Sequence, residues 1–351
     1  MIQPDFTPAR IAILGASGYT GAELMRLLVR HPNARIRYLT GERQAGKPVA
    51  EVFPHLAPYG LPDLVKIEDV DWSDVDFVFC GLPHGTTQNV IAGLPHTIKV
   101  VDLSADFRLA DVETYAKWYG HAHQAPDLQR NAVYGLSEIN RQGVQNARLV
   151  ANPGCYPTSA QLPLIPLLLR ELIEADDIII DAKSGVSGAG RDAKQASLFG
   201  EVAEGIHAYG IAGHRHAPEI EQGLSLAAGR EVLVNFTPHL MPMSRGILAT
   251  SYVRLKPGVS VADLRAAMAE QYANESFVKL LPEGIGPQTR HVRGSNYCLM
   301  NVFADRLPGR AIVISVIDNL MKGASGQAVQ NFNIMSGVNE TVGLDIVPVF
   351  P

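Results

Sequence analysis

Cysteine is scarce in this chain: Cys80, Cys155 and Cys298 are the only three among 351 residues. That number excludes a disulfide framework, and their scatter excludes a thiolate zinc site, so no metal is expected. An excess of one charge is also lacking, since 30 basic residues meet 35 acidic ones for a net charge of −5. Without a polycationic surface, nucleic acid and anionic membranes are not expected partners. No apolar run reaches membrane-spanning length, and the longest, 162–169, is interrupted by Pro163 and Pro166. The opening Met1-Ile2-Gln3-Pro4-Asp5 has no basic region ahead of an apolar one, so no secretory signal is expected. Repeats and low-complexity tails are absent from the sequence too. What remains reads as a cytoplasmic globular chain, 46% hydrophobic and long enough for two domains.

What the chain does have is a cysteine in a telling place. Cys155 lies in Asn152-Pro153-Gly154-Cys155-Tyr156-Pro157-Thr158, straight after the apolar run 148–151. The run reads as a strand end, Pro153 and Gly154 force a turn, and Pro157 and Thr158 lead into a helix over 162–173. A thiol there is close to the positive end of a helix, whose field favours the nucleophilic thiolate. The loop alone leaves open the plainer reading that Cys155 is a buried core residue, as free cysteines often are.

The second signal is near the start. The apolar run 10–14 ends in Gly15-Ala16-Ser17-Gly18-Tyr19-Thr20-Gly21, and leucines at helical spacing follow. Strand, glycine turn and helix together predict a dinucleotide site, with Gly15, Ser17, Gly18, Tyr19, Thr20 and Gly21 around the pyrophosphate. The glycine spacing is G-x-x-G-x-x-G, one residue off the commonest form. After the next strand, 36–40, come Glu42 and Arg43, with Lys47 close behind. An acid there grips a ribose hydroxyl and a base accommodates a 2′-phosphate. The adjacent pair is a mixed code, and two cations favour NADP(H), with Arg43 as its reader.

Strands at 75–80 and 99–103 lead into loops carrying Pro83 and Arg108. Their βα rhythm predicts a Rossmann-type doubly wound parallel sheet, with the glycine turn, Pro83, Arg108 and Cys155 on one rim. Cys80, within a strand, reads as core. After Cys155 strands dominate, at 178–183, 231–237, 247–255, 296–303 and 311–317, with a helix at 261–272. This predicts an α+β domain with a mixed sheet. The stretch 318–331 reads as a helix despite its glycines.

Histidine completes the set. Gly213-His214-Arg215-His216-Ala217-Pro218-Glu219 places two imidazoles just before a helix start, where Pro218 suits the first turn. A histidine at a helix N-terminus is biased toward the neutral form that a general base requires. His216, nearest that terminus, reads as the base. His214, two residues away and facing the same side of an extended segment, reads as a substrate contact, though one kink would exchange them. His31, His55, His96 and His239 have no such context and read as structural. A nicotinamide-type site, a turn-borne thiol and a cationic histidine cluster together suit reduction of an activated acyl group through a thioester. A non-redox thiol acyltransferase or hydrolase, and a dinucleotide-sensing regulator, also fit parts of the pattern.

Four motifs together carry a resemblance: Gly15 through Leu24, Asn152 through Thr158, Ser184-Gly185-Val186-Ser187-Gly188-Ala189-Gly190-Arg191, and Gly213 through Glu219. Over essentially the whole chain they resemble the N-acetyl-gamma-glutamyl-phosphate reductases of arginine biosynthesis, within the aspartate-semialdehyde dehydrogenase superfamily. The resemblance implies NADPH-dependent conversion of N-acetyl-glutamyl 5-phosphate to the semialdehyde and free phosphate, with Cys155 as nucleophile. It further implies that Ser184, Gly185 and Asn319 help to hold NADP and that Arg108 meets the substrate phosphate, with Arg215 and Glu219 also at the substrate. The histidine of the late segment, His291, precedes its glycine, so the base is placed at His214 or His216. Aminoadipyl-phosphate and aspartyl-phosphate reductases are near neighbours, and net acidity counts against docking of an acidic carrier. The domains are expected at 1–154 with 319–351 for NADP and 155–318 for catalysis and dimerisation. An exposed sheet face in the latter would suit a homodimer or homotetramer.

Overall fold

The computed structural model describes residues 7–193 and 195–351. It forms two compact units, against the boundaries 1–154/319–351 and 155–318 read from the sequence. The first holds the chain up to Pro153 together with Ala324–Asp345; the second holds Gly154–Gly323 and the tail Ile346–Pro351. The tail belongs there because Val349 donates its backbone N–H to the Arg293 carbonyl at 2.8 Å.

Seven strands make the sheet of the first unit, in the spatial order Leu64–Val65, Ala34–Thr40, Ala9–Leu14, Phe77–Cys80, Lys99–Asp102, Leu149–Ala151 and Val133–Tyr134. Every neighbouring pair is parallel. Elements cover both faces, so the central strands are continuous apolar runs, with Ile11 to Leu14 wholly buried. Strand order reverses between Ala9–Leu14 and Phe77–Cys80, which opens a crevice at their carboxyl ends. Cys80 is core, as its sequence position predicts.

The stretch read as one helix over 318–331 is instead a turn, a π-helical segment Met321–Ser325 and an α-helix Gly326–Met335. Asp318 causes the difference. Its carboxylate accepts the N–H groups of Leu320 and Met321, and its carbonyl accepts that of Gly323 at 3.0 Å. Buried carboxamides then anchor the α-helix: Gln327 and Asn331 donate to the Gly135 carbonyl, and Gln330 donates to Glu138 and Glu340.

The second unit has a mixed seven-stranded sheet in the order Val278–Leu280, Cys298–Ala304, Arg310–Ile317, Ile247–Arg254, Ile178–Gly185, Val234–Met241 and His207–Ala208. Two pairs are parallel and the others antiparallel. Its central strands alternate buried and half-buried residues. Helices Cys155–Leu169 and Val261–Gln271 cover one face.

The helix expected over 162–173 runs from Cys155 to Leu169 and passes straight through Pro163 and Pro166. A proline in a helix interior orphans the carbonyl four residues earlier. Here Ser315 Oγ donates to the Ser159 carbonyl at 2.6 Å and the Tyr272 hydroxyl donates to the Leu162 carbonyl. Both orphans are thereby satisfied, and a helix buried from Tyr156 through Leu168 persists. Among the described residues, no helix is long and apolar enough to cross a membrane.

Candidate active site

In the first unit, the strand Ala9–Leu14 ends at Gly15, whose φ of 76° lies in the left-handed region. A Cβ there would sit 2.5 Å from the Gly81 carbonyl oxygen, and one at Gly21 would sit 2.5 Å from the Ala16 oxygen. Glycine is therefore required at both positions. Gly18 precedes the helix Tyr19–Leu28 without a side-chain cap, and the first turn of that helix carries no acidic residue. That leaves a helix N-terminus suited to a pyrophosphate. The end of strand Ala34–Thr40 lies beside the turn: Thr40 accepts the Ala16 N–H on its carbonyl at 2.7 Å and the Gly15 N–H on Oγ1 at 3.2 Å. Glu42, Arg43 and Lys47 follow, all exposed. The residues fit a dinucleotide.

Pro83 lies exposed on a loop organised by Asp106, a residue sequence reasoning passed over. The Asp106 carboxylate takes the N–H of Gly85 on both oxygens, at 2.8 and 2.9 Å, that of Thr87 at 3.2 Å, and the Tyr115 hydroxyl at 2.8 Å. Arg108 is fixed along one edge, its Nε donating to the Asn152 carbonyl and one Nη to the Leu103 carbonyl, each at 2.8 Å. Asn152 thus joins Arg108 to the segment leading into Cys155. Its side chain also donates to the Ala324 carbonyl at 3.1 Å and accepts from Asn331 at 3.2 Å.

In the second unit, Cys155 occupies the first position of its helix and is half-buried. Cys80 and Cys298 are fully buried, and burial pushes the Cys80 thiol well up. Cys155 is the accessible thiol of the three. The N–H of Gly154 donates to Glu219 Oε1 at 2.8 Å, and Gln161 donates to the Glu219 carbonyl at 2.8 Å. Glu219 has 1% exposure, so its carboxylate holds the turn and has little access to a substrate.

The segment is a turn rather than the extended stretch expected, with His216 in helical backbone at φ −82° and ψ −13°. The rings of His214 and His216 lie with centroids 4.9 Å apart, while Arg215 is exposed. His216 occupies the N-cap position of the helix Ala217–Ala228 without a side-chain capping bond, and Pro218 lies in the first turn. His214 packs among Tyr156, Tyr209 and Phe236. Burial, and then the Arg215 charge, lower its pKa to about 4. Its Nδ1 accepts the backbone N–H of His216 at 3.1 Å, so the neutral ring carries its proton on Nε2. The hydroxyls of Tyr156 and Tyr209 meet at 3.0 Å.

Ser184, Gly185 and Asn319 come together in this unit. Ser184 is buried with its hydroxyl on the Gly185 carbonyl, and a Cβ on Gly185 would meet the backbone of Ser244 and Arg245 at 2.8 Å. Asn319 accepts the Gly246 N–H at 2.7 Å and donates to Ser187 Oγ at 2.9 Å. Asp106 and Tyr209 lie outside the four motifs, and Asn152, though it opens one of them, shows its role only through partners far away in sequence.

Family models match both halves: "Semialdehyde dehydrogenase, NAD binding domain" over residues 10–147 and "Semialdehyde dehydrogenase, dimerisation domain" over 155–319. The chain is 64% identical over 346 residues to an N-acetyl-gamma-glutamyl-phosphate reductase of Rhodospirillum rubrum, covering 97% of this chain and 98% of the relative. It is 63% identical over 342 residues to a "Probable N-acetyl-gamma-glutamyl-phosphate reductase, chloroplastic" of Oryza sativa subsp. japonica, covering 97% of this chain and 82% of that one. The chain belongs to the N-acetyl-gamma-glutamyl-phosphate reductase family. Its fold is that of the aspartate-semialdehyde dehydrogenases. The enzyme II of Vibrio cholerae, complexed with ASA, superposes with a TM-score of 0.68 at 18% identity, covering 94% of this chain and 98% of that one. The Candida albicans enzyme with NADP gives 0.68 at 17%, covering 96% and 100%.

Proposed function

We propose that this family member reduces N-acetyl-L-glutamyl 5-phosphate to the semialdehyde with NADPH, releasing phosphate, as a step of arginine biosynthesis. The observation that carries the chemistry is the accessible Cys155 thiol on the first turn of a helix, where charge on sulfur is stabilised. Its sulfur attacks the acyl carbon, a C–S bond forms and the C–O bond to phosphate breaks, leaving a thioester. The chemistry supplied by bound NADPH is hydride transfer to that carbon. Cys155 sulfur then leaves as the C–S bond breaks and the aldehyde forms.

His216 takes the thiol proton in this reading. His214, with Nε2 protonated and its Nδ1 lone pair occupied, is a donor toward an acyl oxygen and not a base. Arg108 and Arg215 are read as holding the charged groups of the substrate. Gly15, Ser17, Gly18, Tyr19, Thr20 and Gly21 would hold the pyrophosphate, Arg43 the 2′-phosphate, and Pro83, Ser184, Gly185 and Asn319 the nicotinamide half. The half-buried sheet face bearing Leu248, Thr250 and Tyr252 is read as the surface that pairs two copies, in a cytosolic homodimer or homotetramer. Substrate identity is tested by running the reaction in reverse. Phosphate-dependent NADP reduction should proceed with N-acetylglutamate 5-semialdehyde and be far slower with aspartate semialdehyde. Equal rates would refute the substrate assignment.

A further inference from the structure

We infer that Gly323 is a positioning residue for Cys155, and that the π-helical turn carrying it exists to bring a bare backbone against the nucleophile. This rests on the reading of Cys155 as nucleophile and extends it. Gly323 does not have a left-handed backbone, so conformation alone does not call for glycine there. Within a helix glycine costs about 1 kcal/mol relative to alanine, so its presence needs a spatial reason. The reason is contact. A Cβ built on Gly323 would stand 2.8 Å from Cys155 Cβ, 3.3 Å from Cys155 Cα and 3.3 Å from Ile317 Cδ1.

The approach is imposed from several sides. The Gly323 N–H reaches back five residues to the Asp318 carbonyl at 3.0 Å, the bond that defines the wide turn. The Asp318 side chain, fully buried, is held by the N–H of Gly294 at 2.7 Å as well as by Leu320 and Met321. The turn before Cys155 is fixed as well, by the Gly154 N–H donated to Glu219. Backbone pressed against one side of a Cβ removes room for Sγ on that side, which narrows the rotamers open to the thiol. A π-turn at a reactive side chain is where such insertions are commonly found.

The test is Gly323→Ala, made alone and in two further backgrounds. The single variant should lower kcat about 10²-fold, the cost of misplacing a reacting group by about 1 Å. It should slow iodoacetamide labelling of Cys155 while leaving the KM for NADPH near wild type. Ile317→Val removes the other nearby atom, so the labelling defect should persist in Gly323→Ala/Ile317→Val. Cys155→Gly removes the Cβ itself, so the melting-temperature loss caused by Gly323→Ala should vanish in that background. Unchanged labelling, or rescue by Ile317→Val, overturns the inference. If the single variant does not fold, recovery of folding in Gly323→Ala/Cys155→Gly supports it, and failure to recover overturns it. Should Cys155→Ser retain turnover, the nucleophile assignment fails instead, and labelling geometry still judges the contact.

Discussion

The carboxylate of Glu219 accepts the backbone N–H of Gly154 at 2.8 Å, one residue ahead of Cys155. A buried acid placed there fixes the turn from which the thiol emerges. Glu219→Ala would leave that buried N–H unsatisfied, at a cost of about 1–3 kcal/mol. It should also lower kcat more than it raises the KM for NADPH. Glu219→Gln keeps an acceptor oxygen and should recover most of the stability. Urea denaturation and steady-state kinetics of the pair decide it, and equal losses would mean that charge rather than the hydrogen bond matters.

The proline-bearing helix makes a second prediction. Ser315→Ala and Tyr272→Phe each remove a hydroxyl from a carbonyl orphaned by proline. Each should destabilise by about 1–3 kcal/mol, the cost of a buried unsatisfied acceptor. Tyr272→Phe is the cleaner test because ring packing is kept. A midpoint in denaturant unchanged from wild type would show that these bonds contribute nothing.

The histidines separate by pH. His214 is held neutral by burial, with a pKa of about 4 against 6.5 for an ordinary histidine. Between those values the unfolded chain binds more protons than the folded one, so His214 makes stability rise with pH across that window. Acidification from pH 6.5 toward 4 should therefore destabilise the wild type more than His214→Asn. In catalysis the acid limb of the kcat profile should survive in His214→Asn, and His216→Asn should lower kcat about 10²–10⁴-fold. An acid limb lost with His214 would reverse the roles.

Arg43, exposed after the strand that borders the glycine turn, is the residue we propose to read the 2′-phosphate. Arg43→Glu should raise the KM for NADPH far more than for NADH, by about 1.5–3 kcal/mol in binding, the worth of a charge-assisted hydrogen bond. Equal losses with both cofactors would move the 2′-phosphate to Lys47.

Local patterns carried much of this architecture. Apolar runs bounded by glycine and proline located the longer strands of both sheets, but not the edge strands Leu64–Val65, Val133–Tyr134, Val278–Leu280 and His207–Ala208, which have only two or three residues each and so no pattern to read. The other misses are long-range. Pro163 and Pro166 look like breaks until Ser315 and Tyr272, more than a hundred residues away, supply the missing donors. The turn at Met321–Ser325 is set by Asp318, whose side chain also binds Gly294. Asp106 organises a loop some twenty residues before it. None of these pairings leaves a periodic trace in sequence.

Formation of the acyl-enzyme tests the central claim most directly. Protein mixed with N-acetylglutamyl 5-phosphate in the absence of NADPH should release a burst of about one phosphate per protomer, the signature of covalent catalysis. The peptide containing Cys155 should gain the mass of an N-acetylglutamyl group. Cys155→Ser should give neither. Phosphate release that requires NADPH, or an adduct on Cys80 or Cys298, would contradict the account.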